Sequence, residues 1–424
     1  MTEEVKYPTY RWFLLVMGWA MLCLTAYNHS MLNVRYDLLL PAVQGGLGLT
    51  TTQFYLCVTS PALASIAFAF ISGFLTDWIG VKRVVLYGSI VTVIGALLRL
   101  VATGFVPLFI FTIIMGVGLG TVAGKVPKLV GQWFPVKQVY MGIALFTTSL
   151  GIGPFLALAT GSMFATWRSG FLIMGIVLVV MIVIWAIWAK DRPKEYLDEG
   201  RTIVNVPFKD SFLTVFKNKQ VWLISASYCL VAGVVTGWTG GMPLVLKATK
   251  GISGGAAGIV IALSVVGYII GIVLWTWVAE RVGRMKPVYA TCMVLSGFTG
   301  FLLYLFAPGP GMWALGIFPG LFMGAGYPLI MQMPLRIKGI GVRYAGTAMG
   351  LIGACGYTIS FLMLPYMFTP IWDAFGATWA VFFFFIAVGS GGIVFILAPE
   401  LGRKYMIKVL TEAVEAAKKA PTSS

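Results

Sequence analysis

The sequence predicts an all-α polytopic membrane protein, with twelve transmembrane helices in two pseudo-symmetric six-helix bundles. Composition is the first of three observations behind this. The 424 residues are 59% hydrophobic and only 10% charged, whereas a water-facing domain carries roughly 25% charged residues. The second is length: apolar runs of about 20 residues, enough to cross a ~30 Å hydrocarbon core, recur along the whole chain. They fall near 12–40, 52–76, 84–103, 107–133, 138–163, 169–189, 220–246, 254–279, 287–307, 312–336, 342–368 and 375–398. The third is a repeat. "DWIGVKRV" from Asp77 is echoed by "ERVGRMKP" from Glu280, and "YMGIALFTTSLG" from Tyr140 by "YAGTAMGLIGAC" from Tyr344, at nearly one offset. Two echoes at one spacing, flanking one central loop, argue for duplicated bundles.

The first run is too long for a cleaved leader and reads as an uncleaved spanning helix. Six runs follow one another up to Lys190, giving a first bundle over 1–190. The one long polar connection, "KDRPKEYLDEGRTIVNVPFKDSFLTVFKNK", supplies a cytoplasmic linker over 191–218. Six more runs make a second bundle over 219–399, and a basic tail over 400–424 reads as a short helix along the anionic inner leaflet.

Charge then fixes orientation. The formal net charge is +16, which on a soluble chain would suggest nucleic acid. With the N-terminus placed in the cytoplasm, however, most of the 30 Lys and Arg fall in inner segments. This is the positive-inside bias of a multi-pass protein of the cell (inner) membrane with both termini cytoplasmic. Its expected partners are the lipid bilayer and a small solute, with no nucleic acid, and a monomer suffices for function. The 5 cysteines lie within apolar runs at unpaired spacings, so neither disulfide framework nor metal site is expected. No metal cluster or nucleophile motif points to an enzyme, and no cofactor is implied.

Between the second and third runs, "GFLTDWIGVKRVVL" resembles the loop signature of the major facilitator superfamily through Gly73, Leu75, Asp77, Gly80, Lys82 and Arg83. Trp78 and Val81 replace basic residues usual in that signature. The resemblance implies that this loop braces the two bundles on the cytoplasmic side, making Asp77, Gly80, Lys82 and Arg83 a cytoplasmic gate. "GVGLG…QWFPVKQVYMGIALFTTSLGIG" is similar to the organic-anion branches: oxalate/formate antiporters, monocarboxylate carriers and anion:cation symporters. "YNHSMLNVRYDLLLPAVQGGLGLTTTQ" resembles the first helix of the symporter branch, with Asn33 where an arginine is usual and Arg35 two residues on. Leu119 stands where that branch tends to place a glutamate.

The resemblance also implies that the first, fourth, seventh and tenth helices line the central pathway. A charge at mid-membrane costs at least about 2.5–3.5 kcal/mol, so such residues face a cavity or a partner. At 1.5 Å per residue, Lys125 lies about 12 Å from Trp133 and Lys128 about 7.5 Å. Lysine stems snorkel several ångströms, which makes Lys128 an interface or gate residue and Lys125 the candidate for an anion. Arg35, about 9 Å from Pro41 along a helix, is either a binding residue or an outer-rim partner of Asp37. Asn28 and Asn33 on the first helix, Trp238 on the seventh, and Tyr327 and Gln332 on the tenth complete the expected binding shell; Pro127, Pro243, Pro328 and Pro334 are expected to break the pathway helices. His29 and Asp37 are the candidates for proton coupling, since histidine titrates near physiological pH.

Cations without buried acids favour an anionic passenger. The expected function is transport of a small organic anion, a carboxylate, by alternating access as symporter or antiporter. The alternative is an exporter of neutral or amphiphilic compounds, suggested by the many aromatic residues.

Overall fold

Hydrophobic length alone produces the architecture. The computed structural model describes residues 9–122, 129, 130, 133, 134, 138, 142, 145–190, 208–337, 339–398, 400 and 402. Among them are 12 helices long and apolar enough to cross a membrane. The first half holds α1 Tyr10–Val34, α2 Thr51–Ala69, α3 Val81–Val101, α4 Phe105–Val122, α5 Leu145–Met163 and α6 Trp167–Trp188. The second half holds α7 Lys219–Lys250, α8 Gly254–Val282, α9 Lys286–Leu305, α10 Pro310–Met331, α11 Thr347–Phe375 and α12 Ala377–Ile396. No strand occurs among the described residues. A short amphipathic helix, Phe208–Phe216, lies inside the expected linker and rests on α11.

Helix ends follow local chemistry. Thr50 and Gln53 form a capping box before α2, Thr166 and Ser169 another before α6, and Asn218 and Ser253 cap α7 and α8. The repeated turn is visible in the backbone: Gly80 after α2 and Gly283 after α8 both have positive φ, 86° and 73°. Only glycine takes such values without strain, so both copies keep it. Their acids are used locally where described: Glu280 pairs with Arg336 at 2.9 Å.

Two expectations need correction. The first run is not one helix to residue 40; after Ser30 it tightens into 3₁₀ turns, Met31–Val34 and Tyr36–Leu39. Tertiary bonds made by Arg35 and Asp37 hold that turn, so the helical depth assumed for Arg35 does not apply. Pro243 does not break α7, which runs unbroken through it. The residue withdraws a hydrogen bond from the Thr239 carbonyl four residues back. The tenth run, by contrast, is divided into Pro310–Leu315, Ile317–Met323 and Gly326–Gln332.

Glycine sets two interfaces that matter below. α8 and α10 touch backbone to backbone: a Cβ on Gly320 would overlap the Ser264 carbonyl oxygen, and Cβ atoms on Gly267 and Gly271 would overlap those of Ile317 and Leu321. Close approach through small residues is how helices associate in lipid, where no hydrophobic effect drives them together. The second interface joins the two halves at the distal end, the end of the bundle away from Tyr10. There a Cβ on Gly258 would stand 2.8 Å from the Leu158 carbonyl oxygen, and one on Gly240 would stand 3.1 Å from the Val58 side chain. Tyr55 and Phe368 meet edge to face across the same seam, their centroids 6.4 Å apart.

Candidate functional site

A cavity of about 210 Å³ lies between the halves, walled by α1, α2, α4 and α5 on one side and α7, α8, α10 and α11 on the other. It is smaller than the roughly 300–1,000 Å³ of pockets for drug-sized ligands, which suits a small solute. Its lining carries no Asp, Glu, Lys or Arg among the described residues. Apolar walls from Val58, Leu119, Leu150, Val235 and Met323 are interrupted by His29, Asn33, Thr236, Trp238, Thr239 and four tyrosines, 228, 268, 327 and 357.

Several of those polar groups are unmet. His29 Nδ1, Asn33 Oδ1 and Trp238 Nε1 are buried without a hydrogen-bond partner. Leaving a buried donor or acceptor unpaired costs about 1–3 kcal/mol each, and three such atoms stand around this one cavity. Trp238 is only 3% exposed and is held edge-on by Phe385, centroids 5.7 Å apart. Its N–H can only donate. Tyr228 and Tyr327 approach to 6.1 Å between rings, which brings α7 and α10 phenols to the same space. Asn33 sits in the 3₁₀ turn that ends α1, and the turn rather than a continued helix aims it at the cavity.

The structure therefore brings Asn33, Trp238 and Tyr327, three residues of the expected binding shell, to one cavity, and with them His29, expected for proton coupling. Other expected members go elsewhere. Asn28 is fully buried and points away from the cavity: its amide donates to the Leu24 carbonyl at 3.0 Å and the Met174 carbonyl at 3.5 Å. Arg35 and Asp37 form a bidentate pair at 3.0 and 2.5 Å. The remaining Arg35 donor atom bonds the Gly161 and Phe164 carbonyls, each at 3.0 Å, and Asp37 also accepts the Trp167 N–H at 3.1 Å. This is the Asp37 pairing that the sequence left open for Arg35, seen in place of the binding role, and it corrects the proton role expected of Asp37, because their polar atoms are consumed in tying α1 to the α5–α6 turn.

Gln332 closes the last short helix of the tenth run, and its side chain lies outside what the structure describes. Lys125 and Lys128 are outside the described residues. Of the expected gate, the Asp77 backbone is near the end of Pro61–Ile79, the helix that carries α2 onward, Gly80 makes the turn, the Lys82 carbonyl accepts the Trp185 indole N–H at 3.1 Å, and Arg83 is exposed. Sequence reasoning missed Tyr268 on α8 and Tyr357 and Ser360 on α11, since it looked only along the first, fourth, seventh and tenth helices. It also missed Arg99, a fully buried arginine on α3. Its signal was present, a lone cation inside the apolar run near 84–103.

Residues 13–357 match the family described as Major Facilitator Superfamily. The chain is 24% identical over 343 residues to the hexuronate transporter of Bacillus subtilis (strain 168), a match covering 74% of this chain and 80% of that protein. It is 24% identical over 299 residues to the 3-(3-hydroxy-phenyl)propionate transporter of Escherichia coli (strain K12), covering 68% and 71% respectively. Its fold resembles the crystal structure of a bacterial homologue of the human lysosomal transporter Spinster, with a TM-score of 0.72 at 14% identity, covering 93% of this chain and 98% of that one.

Proposed function

The chain belongs to the Major Facilitator Superfamily and is a multi-pass membrane transporter, not an enzyme; from that premise we propose that it carries a small organic anion, a carboxylate, through the central cavity by alternating access of its two halves. One observation carries this reading: the Trp238 indole N–H faces the cavity with no protein acceptor, and the described lining holds no acid to take it. A carboxylate is acceptor-only when ionised, so it can take that N–H, and charge-assisted bonds are about twice as strong as neutral ones. The hexuronate and hydroxyphenylpropionate named for two relatives are both carboxylates. In this reading Lys125 supplies a counter-charge, Lys128 and the Asp77–Arg83 loop form the gate on the cytoplasmic side, and Gln332 extends the polar shell. The protein acts as a monomer in the inner membrane, with both termini cytoplasmic.

The test is a thermal-shift screen of the purified transporter against glucuronate, 3-(3-hydroxyphenyl)propionate, sulfoacetate and lactate, with neutral and cationic amphiphiles alongside. A ligand at 100 times its Kd stabilises by about 2.7 kcal/mol, so a passenger stands clear of the rest. Stabilisation by carboxylates alone is expected. Trp238→Phe, which keeps the ring and removes the N–H, should weaken that carboxylate roughly tenfold, since a hydrogen bond to a charged group contributes about 1.5–3 kcal/mol. Stabilisation only by neutral or cationic amphiphiles would replace the anion carrier with an exporter of such compounds.

A further inference from the structure

Two arginines are buried in the first half, and they are treated differently. Arg35 has a carboxylate against it. Arg99 has none: among the described residues its donors reach only the Ala96 carbonyl at 3.5 Å, the Asn28 carbonyl at 3.3 Å and the Asn28 side-chain oxygen at 3.5 Å. All three bonds are long for N–H···O. The guanidinium also stacks on Phe171, 3.9 Å from the ring centroid. A buried cation in a membrane helix ordinarily pairs with an opposite charge or marks a solute pathway, and no opposite charge is in place here.

Its position says what it can act on. Asn28 turns its side chain back toward Arg99, and the next residue, about 100° further round the helix, is His29, whose ring lines the cavity. Arg99 thus stands directly behind the α1 wall, within electrostatic reach of His29. The separation from the cavity is about one helix width, ~10 Å.

We propose that Arg99 is an electrostatic determinant of the transport site: a fixed positive charge behind α1 that favours an anion in the cavity. The counter-anion that Arg99 lacks in the protein is the passenger itself. This rests on the anion-carrier reading and extends it to a residue away from the lining. A unit charge at about 10 Å in an effective dielectric near 20 changes anion binding roughly tenfold.

The experiment compares wild type, Arg99→Met and Arg99→Lys for binding of glucuronate, 3-(3-hydroxyphenyl)propionate, sulfoacetate and lactate, and of the neutral amide 3-(3-hydroxyphenyl)propionamide. Expected are a roughly tenfold loss for the carboxylates in Arg99→Met, unchanged amide binding, and recovery of most of the loss in Arg99→Lys. Thermal stability of Arg99→Met should stay close to wild type, because the variant removes the cost of a buried charge without a counter-ion and gives up only long bonds to Ala96 and Asn28. A Met variant that unfolds, or that loses amide and carboxylate alike, would assign Arg99 to packing against Phe171 and overturn the proposal. Equal carboxylate affinity in wild type and Arg99→Met would overturn it while leaving the carrier reading intact. Wild type that binds none of the four carboxylates would overturn the carrier reading, and the role of Arg99 with it.

Discussion

Gly320→Val is expected to leave little folded transporter. At this position the added carbons meet main chain rather than a side chain that can rotate aside: the Ser264 carbonyl oxygen overlaps the new Cβ, and Tyr268 N lies 3.0 Å from it. Relief requires α8 and α10 to separate. Gly267 and Gly271 rest on the Ile317 and Leu321 carbonyls along the same line of contact, so separation is felt over several turns. It also strains the Trp275 indole bond to the Leu321 carbonyl, 2.8 Å, and the Ser264 hydroxyl bond to the Gly316 carbonyl. Ordinary overpacking costs about 1–3 kcal/mol. With polar bonds lost as well, the total should exceed about 4 kcal/mol, the range reserved for exceptional substitutions. Yield of monodisperse protein and its apparent Tm are the readouts. Gly353→Ala is the control, since nothing lies within 4 Å of its Cβ position, and it should be neutral or mildly stabilising. Gly320→Val protein with a wild-type Tm would contradict the packing described here.

Asp37→Asn comes next in size. The substitution keeps an acceptor for the Trp167 N–H and removes only the charge, leaving the Arg35 side chain, 5% exposed, without its counter-ion. Breaking a buried pair in this way costs about 3–5 kcal/mol. Asp37 is 30% exposed, so solvent screening lowers the figure to about 2–3 kcal/mol. Asp37→Ala should lose about 1 kcal/mol more, because the acceptor of the Trp167 N–H disappears as well. Unfolding in detergent measures both. Relative affinities among carboxylates are expected to stay the same, as befits a clamp at the distal end. A variant with unchanged Tm and altered substrate preference would return Arg35 and Asp37 to the binding site.

The sequence carried the architecture because hydrophobic length and charge distribution are properties of the chain itself. Twelve spans follow from them, and the paired Gly80 and Gly283 turns follow from the repeated motif. Facing does not. Depth along a helix can be counted in residues, but whether Asn28 or His29 looks into the cavity depends on which neighbour competes for it, and Arg99 claims Asn28. Arg35 was misplaced for a similar reason: its bonds to Asp37, Gly161 and Phe164 end the regular helix from which its depth was counted. Tyr268, Tyr357 and Ser360 escaped because the resemblance pointed only to the first, fourth, seventh and tenth helices, and only the assembled bundle brings those side chains to the cavity.

The distal seam has a thermal consequence. Gly240, Gly258, Val58, Tyr55 and Phe368 meet through apolar atoms and glycine backbone, with no hydrogen bond or ion pair joining them across the halves among the described residues. Parting such a surface wets it, and hydrating apolar area raises the heat capacity by about 0.45 cal/K/mol for each Å². A barrier of that origin changes its enthalpy with temperature. Transport limited by opening this end should therefore give a curved rather than straight plot of log rate against reciprocal temperature, and exchanging Gly240 for a larger residue, which props the seam apart, should flatten it.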